Sequence, residues 1–216
     1  MNNNRLNNKV GVKAFGSLMN KNTNKLNIAP AIGYNVYDGF MLGGLLHNIS
    51  LVDKPFQIIV NPMYGFNRGG LVGNAGLSYA TFPNAGFAKE IEFNLNLKRY
   101  SQSELDLNVE KPVFLKYNVI SPEVKFFLRK AYERSSIQQS IAIKGYFINN
   151  EIVKFEMNPV DSLFRPLRNG SVNNVFGKLT YLFDNERVFN PYSIKLEGIV
   201  NEDFARPNFP GIESAF

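Results

Sequence analysis

The chain of 216 residues contains no cysteine, no tryptophan and only one histidine, His47. Without cysteine, neither a disulfide framework nor a thiolate metal site can form. A zinc site of the His-Glu-x-x-His type is also excluded, because it needs two histidines on one helical face. We therefore predict no metal ion and no cofactor, and the sequence assembles no catalytic residues.

Long hydrophobic runs are absent too. Hydrophobic residues make up 44% of the chain and charged residues 19%, and the mean hydropathy is -0.17. A membrane-spanning helix needs about 18 or more consecutive apolar residues, and no segment approaches this length. The 24 Lys and Arg against 18 Asp and Glu give a net charge of +6. These charges are scattered, whereas nucleic-acid binding requires a clustered basic surface, so we predict no nucleic-acid partner.

What the chain does contain is alternation of apolar and polar residues over strand-length segments. In the segment 56–66, Phe56, Ile58 and Val60 fall on one side of an extended chain, and Gln57 and Asn61 fall on the other. The segment 90–98 repeats the pattern. A period of two indicates a strand that separates two different environments.

The length of these segments favours a membrane as one of the two environments. Strands of soluble sheets are commonly about five or six residues long, whereas a tilted strand needs roughly 9–11 residues to cross a bilayer. The 19 Phe and 10 Tyr often lie near the predicted strand ends, as in the aromatic girdles of membrane barrels. Ordinary core aromatics of a soluble β-domain remain the alternative interpretation.

We predict strands at about 9–18, 26–36, 39–48, 55–66, 71–82, 89–100, 112–129, 136–149, 171–184 and 191–204. Residues 1–8, which are rich in asparagine, are interpreted as a linker that precedes a barrel domain of residues 9–216. Turn residues such as Asp38-Gly39 and Gly69-Gly70 separate neighbouring strands. Two long connections are expected, at about 101–111 and 150–170. The predicted fold is all-β, an antiparallel up-and-down transmembrane β-barrel of about ten strands, complete in itself or part of a larger barrel.

The alternation assigns side chains to two environments. We predict that the lipid-facing residues are Ile28, Ile32, Phe56, Ile58, Val60, Ile91, Phe93, Leu95, Ile141 and Ile143. We predict that the lumen-facing residues are Asn27, Gln57, Asn61, Glu92, Asn94, Asn96, Lys98 and Lys144. Glu90 and Glu92 are paired carboxylates on one strand face, but a hydrated, ion-paired barrel wall explains them better than glycoside hydrolysis does. His47 is interpreted as a lumen or interface residue.

Three segments between residues 29 and 79 suggest a family: APAIGYNVYDGFMLGGLLHN, PFQIIVNPMYGF and GLVGNAGLSY. They resemble the carboxy-terminal outer-membrane barrel of large M1-metallopeptidase-like proteins of Bacteroidota and, more broadly, surface-antigen barrels of the Omp85 kind. The resemblance implies a barrel in the outer membrane of a Gram-negative bacterium. The Arg-Gly-Phe/Tyr signature of Omp85 barrels is missing, since Gly70 follows Arg68-Gly69.

These observations lead to a membrane anchor or scaffold, or a narrow pore, in a portion of a larger surface protein. Its partners would be outer-membrane lipid and other domains or chains of that protein. Any peptidase activity would reside in domains outside this chain. Two alternatives stay open: a soluble β-barrel or sandwich that binds an apolar ligand or a protein partner, and, third, an outer-membrane barrel hydrolase.

Overall fold

A computed structural model describes residues 11–14, 25–49, 54–67, 69–105, 113–130, 132, 134–157 and 164–201. The predicted linker 1–8 lies outside these residues. Ten strands form a single sheet and are listed here in chain order: β1 Gly11–Ala14, β2 Lys25–Asn35, β3 Gly39–His47, β4 Phe56–Gly65, β5 Gly70–Thr81, β6 Ala88–Leu105, β7 Val113–Leu128, β8 Ile137–Met157, β9 Phe164–Asn185 and β10 Tyr192–Asn201. The described residues contain no helix.

The strands pair in the order of the sequence, from β1 to β10. From β2 to β10 every neighbouring pair is antiparallel, so nine strands form the up-and-down meander that the alternation predicts. The sheet is not closed into a barrel within the described residues. One expectation is wrong, because β1 pairs with β2 in parallel, Gly11 opposite Lys25. The return between these two strands is therefore not a hairpin.

The two long connections are also corrected. The ladder of β8 and β9 continues as far as Met157 opposite Phe164, so most of the range 150–170 is strand. Strand β6 likewise extends to Leu105, which pairs with Val113. Both ladders contain a register shift, between Ile152 and Lys154 in the first. Much of the two predicted loops is therefore strand, and residues 106–112 and 158–163 lie outside the described residues.

Proline occurs in central strands, where it normally disrupts the hydrogen-bond ladder. Pro62 of β4 lies opposite Gly73 of β5, and a Cβ on Gly73 would lie only 2.1 Å from the carbonyl oxygen of Asn61. On the other side of β4, Pro62 is not paired with a residue of β3. Proline has no N–H to donate to that strand. Glycine beside proline therefore lets the strands approach closely where the ladder is interrupted.

The sheet curls strongly at its amino-terminal side. Asp38, in the turn between β2 and β3, accepts hydrogen bonds from the backbone N–H and the hydroxyl of Ser101 in β6, at 3.0 and 2.6 Å. In a flat sheet β3 and β6 would be three strand spacings apart, about 14 Å. Met41, Met63 and Val72, from β3, β4 and β5, form a buried cluster on one face. That concave face is called the inner face, and the opposite, convex face is called the outer face.

Candidate membrane interface

The strand register sorts the alternating residues onto these two faces. Paired residues of neighbouring strands lie on the same face of the sheet. One row of successively paired residues on the outer face consists of Phe56, Tyr79, Phe93, Val124, Ile143, Leu179 and Gly198. All ten residues predicted to face lipid lie on the outer face by this register. All eight residues predicted to face a lumen lie on the inner face. Contact with lipid or with a water-filled lumen remains a prediction.

The apolar outer face is exposed and polar residues of the inner face are buried, which is the opposite of a soluble sheet. On the outer face Phe56 is 49% exposed and Ile143 is 55% exposed. On the inner face Asn27 and Ser121 are only 7% and 6% exposed. A soluble antiparallel sheet buries its apolar face and exposes its polar one. Here the large hydrophobic side chains point away from the concave side and have no protein partner layer within the described residues.

The outer face carries apolar stretches of seven to nine residues although the strands differ twofold in length. Strands β4, β7 and β9 have 10, 16 and 22 residues. Their apolar stretches on the outer face run over 56–64, 120–128 and 175–183, nine residues each. The same length is found at 71–79 in β5 and 192–200 in β10. Nine residues of extended chain span about 27 Å, so an environment of fixed thickness explains the pattern.

The position of these stretches shifts across the sheet, although not at every strand, since the stretches of β4 and β5 coincide in register. Phe56, the first residue of the stretch in β4, lies in register with Gly198 in β10, whereas the stretch of β10 begins six residues earlier, at Tyr192. Six residues correspond to about 20 Å along the strands, and the six strand spacings to about 29 Å across them. The apolar band therefore crosses the strands at a slope of about 35°. Strands of membrane barrels tilt by about 35–45°.

A row of polar residues ends the apolar band in the longer strands. Arg99, Asn118, Asn149 and Asn173 are in register across β6 to β9, directly beyond Leu97 and its partners in the band. Asn149 donates from Nδ2 to Oδ1 of Asn173 at 2.6 Å, and Asn118 donates to Oδ1 of Asn149 at 3.5 Å. Beyond this row the strands continue with mixed composition. The outer face thus changes from apolar to polar along one line.

Aromatic side chains lie at both ends of the apolar band. At one end, the Phe66 ring stacks on Phe40 at 6.0 Å and meets the edge of Tyr64 at 5.6 Å. At the opposite end, the rings of Phe87 and Phe126 are 5.8 Å apart, and Phe183 stacks on Tyr192 at 6.0 Å. The middle of the band is mostly aliphatic. Aromatic residues at both borders are typical of strands that cross a membrane.

The inner face between β2 and β6 is held by a buried polar network beside the Met41 cluster. Asp38 is fully buried and accepts hydrogen bonds from Ser101 and from the Asn35 amide, the latter at 3.1 Å. Its backbone oxygen accepts from the N–H of Asn67 at 3.2 Å. No lysine or arginine forms an ion pair with Asp38 in the described part of the chain. Its charge is therefore stabilised by donors alone, and these donors connect the β2–β3 turn to β6.

The inner face between β6 and β10 carries charged side chains instead. Lys144 and Glu123 form an ion pair at 3.3 Å. Glu197 accepts from both Lys178 and Lys195, at 2.7 and 2.6 Å. Together with neighbouring polar groups these residues line a concavity of about 250 Å³. Four lysines and two glutamates line the concavity, so the ion pairs neutralise only part of its positive charge.

The residues considered for chemistry do not assemble a site. His47 lies on the inner face, paired with Asn27, and its buried Nδ1 has no hydrogen-bond partner. Glu92 lies opposite Lys125. Within the described residues no group of three His, Cys, Asp or Glu is arranged to hold a metal ion. Those residues also include no helix long and apolar enough to cross a membrane.

Sequence reasoning missed Asp38 and the polar row. The Asp-Gly pair was interpreted only as a turn, and nothing local indicates that the turn reaches β6. The row of Arg99 and three asparagines becomes visible only when the register is known. Comparison with known proteins adds no assignment, since no family model, no curated protein and no solved structure matches this chain.

Proposed function

We propose that this chain is a β-barrel domain of the bacterial outer membrane that anchors or positions other parts of a larger surface protein. The observation that carries the proposal is the exposed apolar band on the outer face, nine residues long in five strands and displaced by six residues between β4 and β10. A bilayer supplies a slab of constant thickness at a fixed angle to tilted strands. A soluble partner surface imposes no such geometry.

The direction of the strands supports the idea of a larger assembly. The two edge strands, β1 and β10, run in the same direction, because β1 is parallel to β2 and seven antiparallel strands lie between β2 and β10. Antiparallel closure then requires an odd number of further strands. Every residue of β10 is exposed, as expected of an edge that another strand covers in the complete barrel. These strands would come from another part of the polypeptide or from another chain.

An anchor fits the inner face better than an open pore. The Met41 cluster and the Asp38 network occupy the concave side at one half of the sheet. Ion pairs occupy the other half. We expect no large steady conductance from the purified chain in planar bilayers, and no peptidase activity with or without zinc. Porin-sized currents would instead favour a pore, and metal-dependent hydrolysis would contradict the anchor.

The absence of tryptophan permits a direct test of the two faces. We would introduce one tryptophan at Ile143, on the outer face, or at the adjacent Ala142, on the inner face, and fold each variant into vesicles that contain lipid brominated at mid-chain. Bromine quenches tryptophan that contacts hydrocarbon. We expect strong quenching for Ile143→Trp and little for Ala142→Trp.

A second matched pair, Leu179→Trp and Thr180→Trp in β9, should repeat the result on a neighbouring strand. Equal quenching at both positions of a pair would contradict the assignment of the faces. A chain that stays dissolved without detergent and does not enter vesicles would favour the soluble alternative, in which the apolar face binds an apolar ligand or a protein.

A further inference from the structure

The outer face is interrupted by a groove at Gly73. The groove has a volume of about 370 Å³ and is lined mainly by apolar groups, among them Pro62, Leu71, Ala75, Leu97 and Ile120. Gly73 contributes no side chain, and its φ of 141° is a conformation that other residues rarely adopt. The volume lies within the range of small-molecule sites, about 300–1,000 Å³. A recess of this kind on a membrane-facing surface is open to lipid.

A positively charged side chain, that of Arg99, lies at the rim of the groove. Arg99 lies directly opposite Gly73 in the register, is exposed, and also lines the groove. No hydrogen bond or ion pair engages Arg99 within the described part of the chain. Asn118, its neighbour in the polar row, contributes an amide to the same rim. The guanidinium therefore has its donors available for an anion.

The position of Arg99 in the apolar band indicates what kind of anion would reach it. Arg99 follows Leu97, the last apolar residue of the band in β6, so it lies at the level where hydrocarbon would give way to lipid headgroups. An arginine donates two parallel hydrogen bonds to a phosphate. The groove extends from this level into the apolar band, which is the direction an acyl chain follows from its headgroup.

We propose that the Gly73 groove binds an anionic phospholipid, with the phosphate on Arg99 and Asn118 and a segment of acyl chain against Ala75, Leu97 and Ile120. This inference rests on the proposed membrane location of the outer face. Charge complementarity selects an anionic lipid over a zwitterionic one, because a net negative headgroup retains its charge for Arg99. The apolar lining distinguishes a lipid from free phosphate.

The test is native mass spectrometry of the full chain in detergent, with titration of phosphatidylglycerol, phosphatidylcholine or inorganic phosphate. We expect phosphatidylglycerol to be retained about tenfold more than either comparison compound. Arg99→Gln should lower this retention about tenfold, as loss of a charge-assisted hydrogen bond implies. Lys195→Gln is the control, since it removes one positive charge from the inner face of β10, outside the groove, and it should leave retention unchanged.

A second pair of variants tests the acyl groove. Ala75→Leu should fill the recess and lower retention, whereas Leu77→Phe, two residues along the same face and outside the groove, should not. Equal retention of phosphatidylcholine, equal binding of inorganic phosphate, or equal effects of Arg99→Gln and Lys195→Gln would each overturn the proposal. A chain that passes the bromolipid test but retains no phosphatidylglycerol would overturn this site alone. Failure of the bromolipid test would instead contradict the proposed membrane location.

Discussion

The two halves of the sheet share one outer face but have different inner faces. In strands β2 to β5, here called the glycine-rich half, the inner face packs Met41, Met63 and Val72 closely. In strands β7 to β10, here called the charged half, it carries ion pairs such as Lys144 with Glu123. The apolar stretch on the outer face is seven to nine residues long in both halves. The two halves therefore share an apolar outer face and differ in how the inner face is filled.

The space around individual glycines also differs across the sheet. A Cβ on Gly43, in the glycine-rich half, would lie 2.0 Å from the carbonyl oxygen of Pro62 and 2.7 Å from the Cα of Met63. A Cβ on Gly177, in the charged half, would meet nothing within 4 Å. Backbone atoms limit the first position, so the neighbouring strands cannot yield without losing their pairing. Gly43 lies on the inner face and Gly177 on the outer face, so space is limited at the packed inner position and freely available at the exposed outer one.

The largest effect is expected from valine at these two glycines. Gly43→Val should destabilise the folded chain by about 3 kcal/mol or more, because overpacking against backbone cannot be relieved by side-chain motion. Gly177→Val should change stability by less than about 1 kcal/mol. Urea-induced unfolding in vesicles would measure both. Similar losses for the two variants would contradict the close packing of Gly43 against β4.

The second-largest effect is expected from arginine on the outer face, which both halves share. Ile58→Arg in the glycine-rich half and Phe93→Arg in β6 should each cost about 2–4 kcal/mol near the bilayer midplane, because the guanidinium must enter hydrocarbon. The neighbouring inner-face changes Gln57→Arg and Asn94→Arg should cost far less. Folding free energies in lipid vesicles provide the measurement. Equal costs on the two faces would mean that the outer face does not contact lipid.

Most strands were predictable from the sequence because the outer face demands alternation. The segment 56–66 was recognised by Phe56, Ile58 and Val60, and the strand begins at Phe56. Beyond the apolar band the outer face is no longer apolar, so alternation is not required. The extensions of β8 and β9 past Glu151 contain Pro166, clustered charges and a register shift. Alternation is weak in these extensions, so the sequence predicts a loop there.

Long-range features were not predictable for a different reason. The direction of β1 relative to β2 is not encoded in the pattern of either strand, since alternation marks a strand without fixing its partner. The contact of Asp38 with Ser101 depends on the curvature of four successive strand pairs. Curvature is a property of the assembled sheet, and a single segment carries no trace of it.

A moderate effect is expected from the polar network that only the glycine-rich half possesses. Asp38→Asn should cost about 1–3 kcal/mol, because the side chain loses its charge and one oxygen that accepts from Ser101. Asp38→Ala should cost more, since it removes both side-chain oxygens that accept from the backbone N–H and the hydroxyl of Ser101. The double-mutant cycle with Ser101→Ala isolates the contact to β6. Strictly additive losses would contradict a direct contact between Asp38 and the Ser101 hydroxyl.

The smallest effect is expected in the charged half. The side chains of Lys144 and Glu123 are 27% and 21% exposed, so water and salt screen their attraction. A double-mutant cycle of Lys144→Met and Glu123→Gln should give a coupling of about 0.2–1 kcal/mol, measured by unfolding in vesicles. The coupling should fall as ionic strength rises, because the Debye length shortens to about 3 Å at 1 M salt. A coupling above that range and insensitive to salt would place this pair in a dry interior. In that case the charged half would be as tightly filled as the glycine-rich half, and its ion pairs would hold the inner face together as the Asp38 network does.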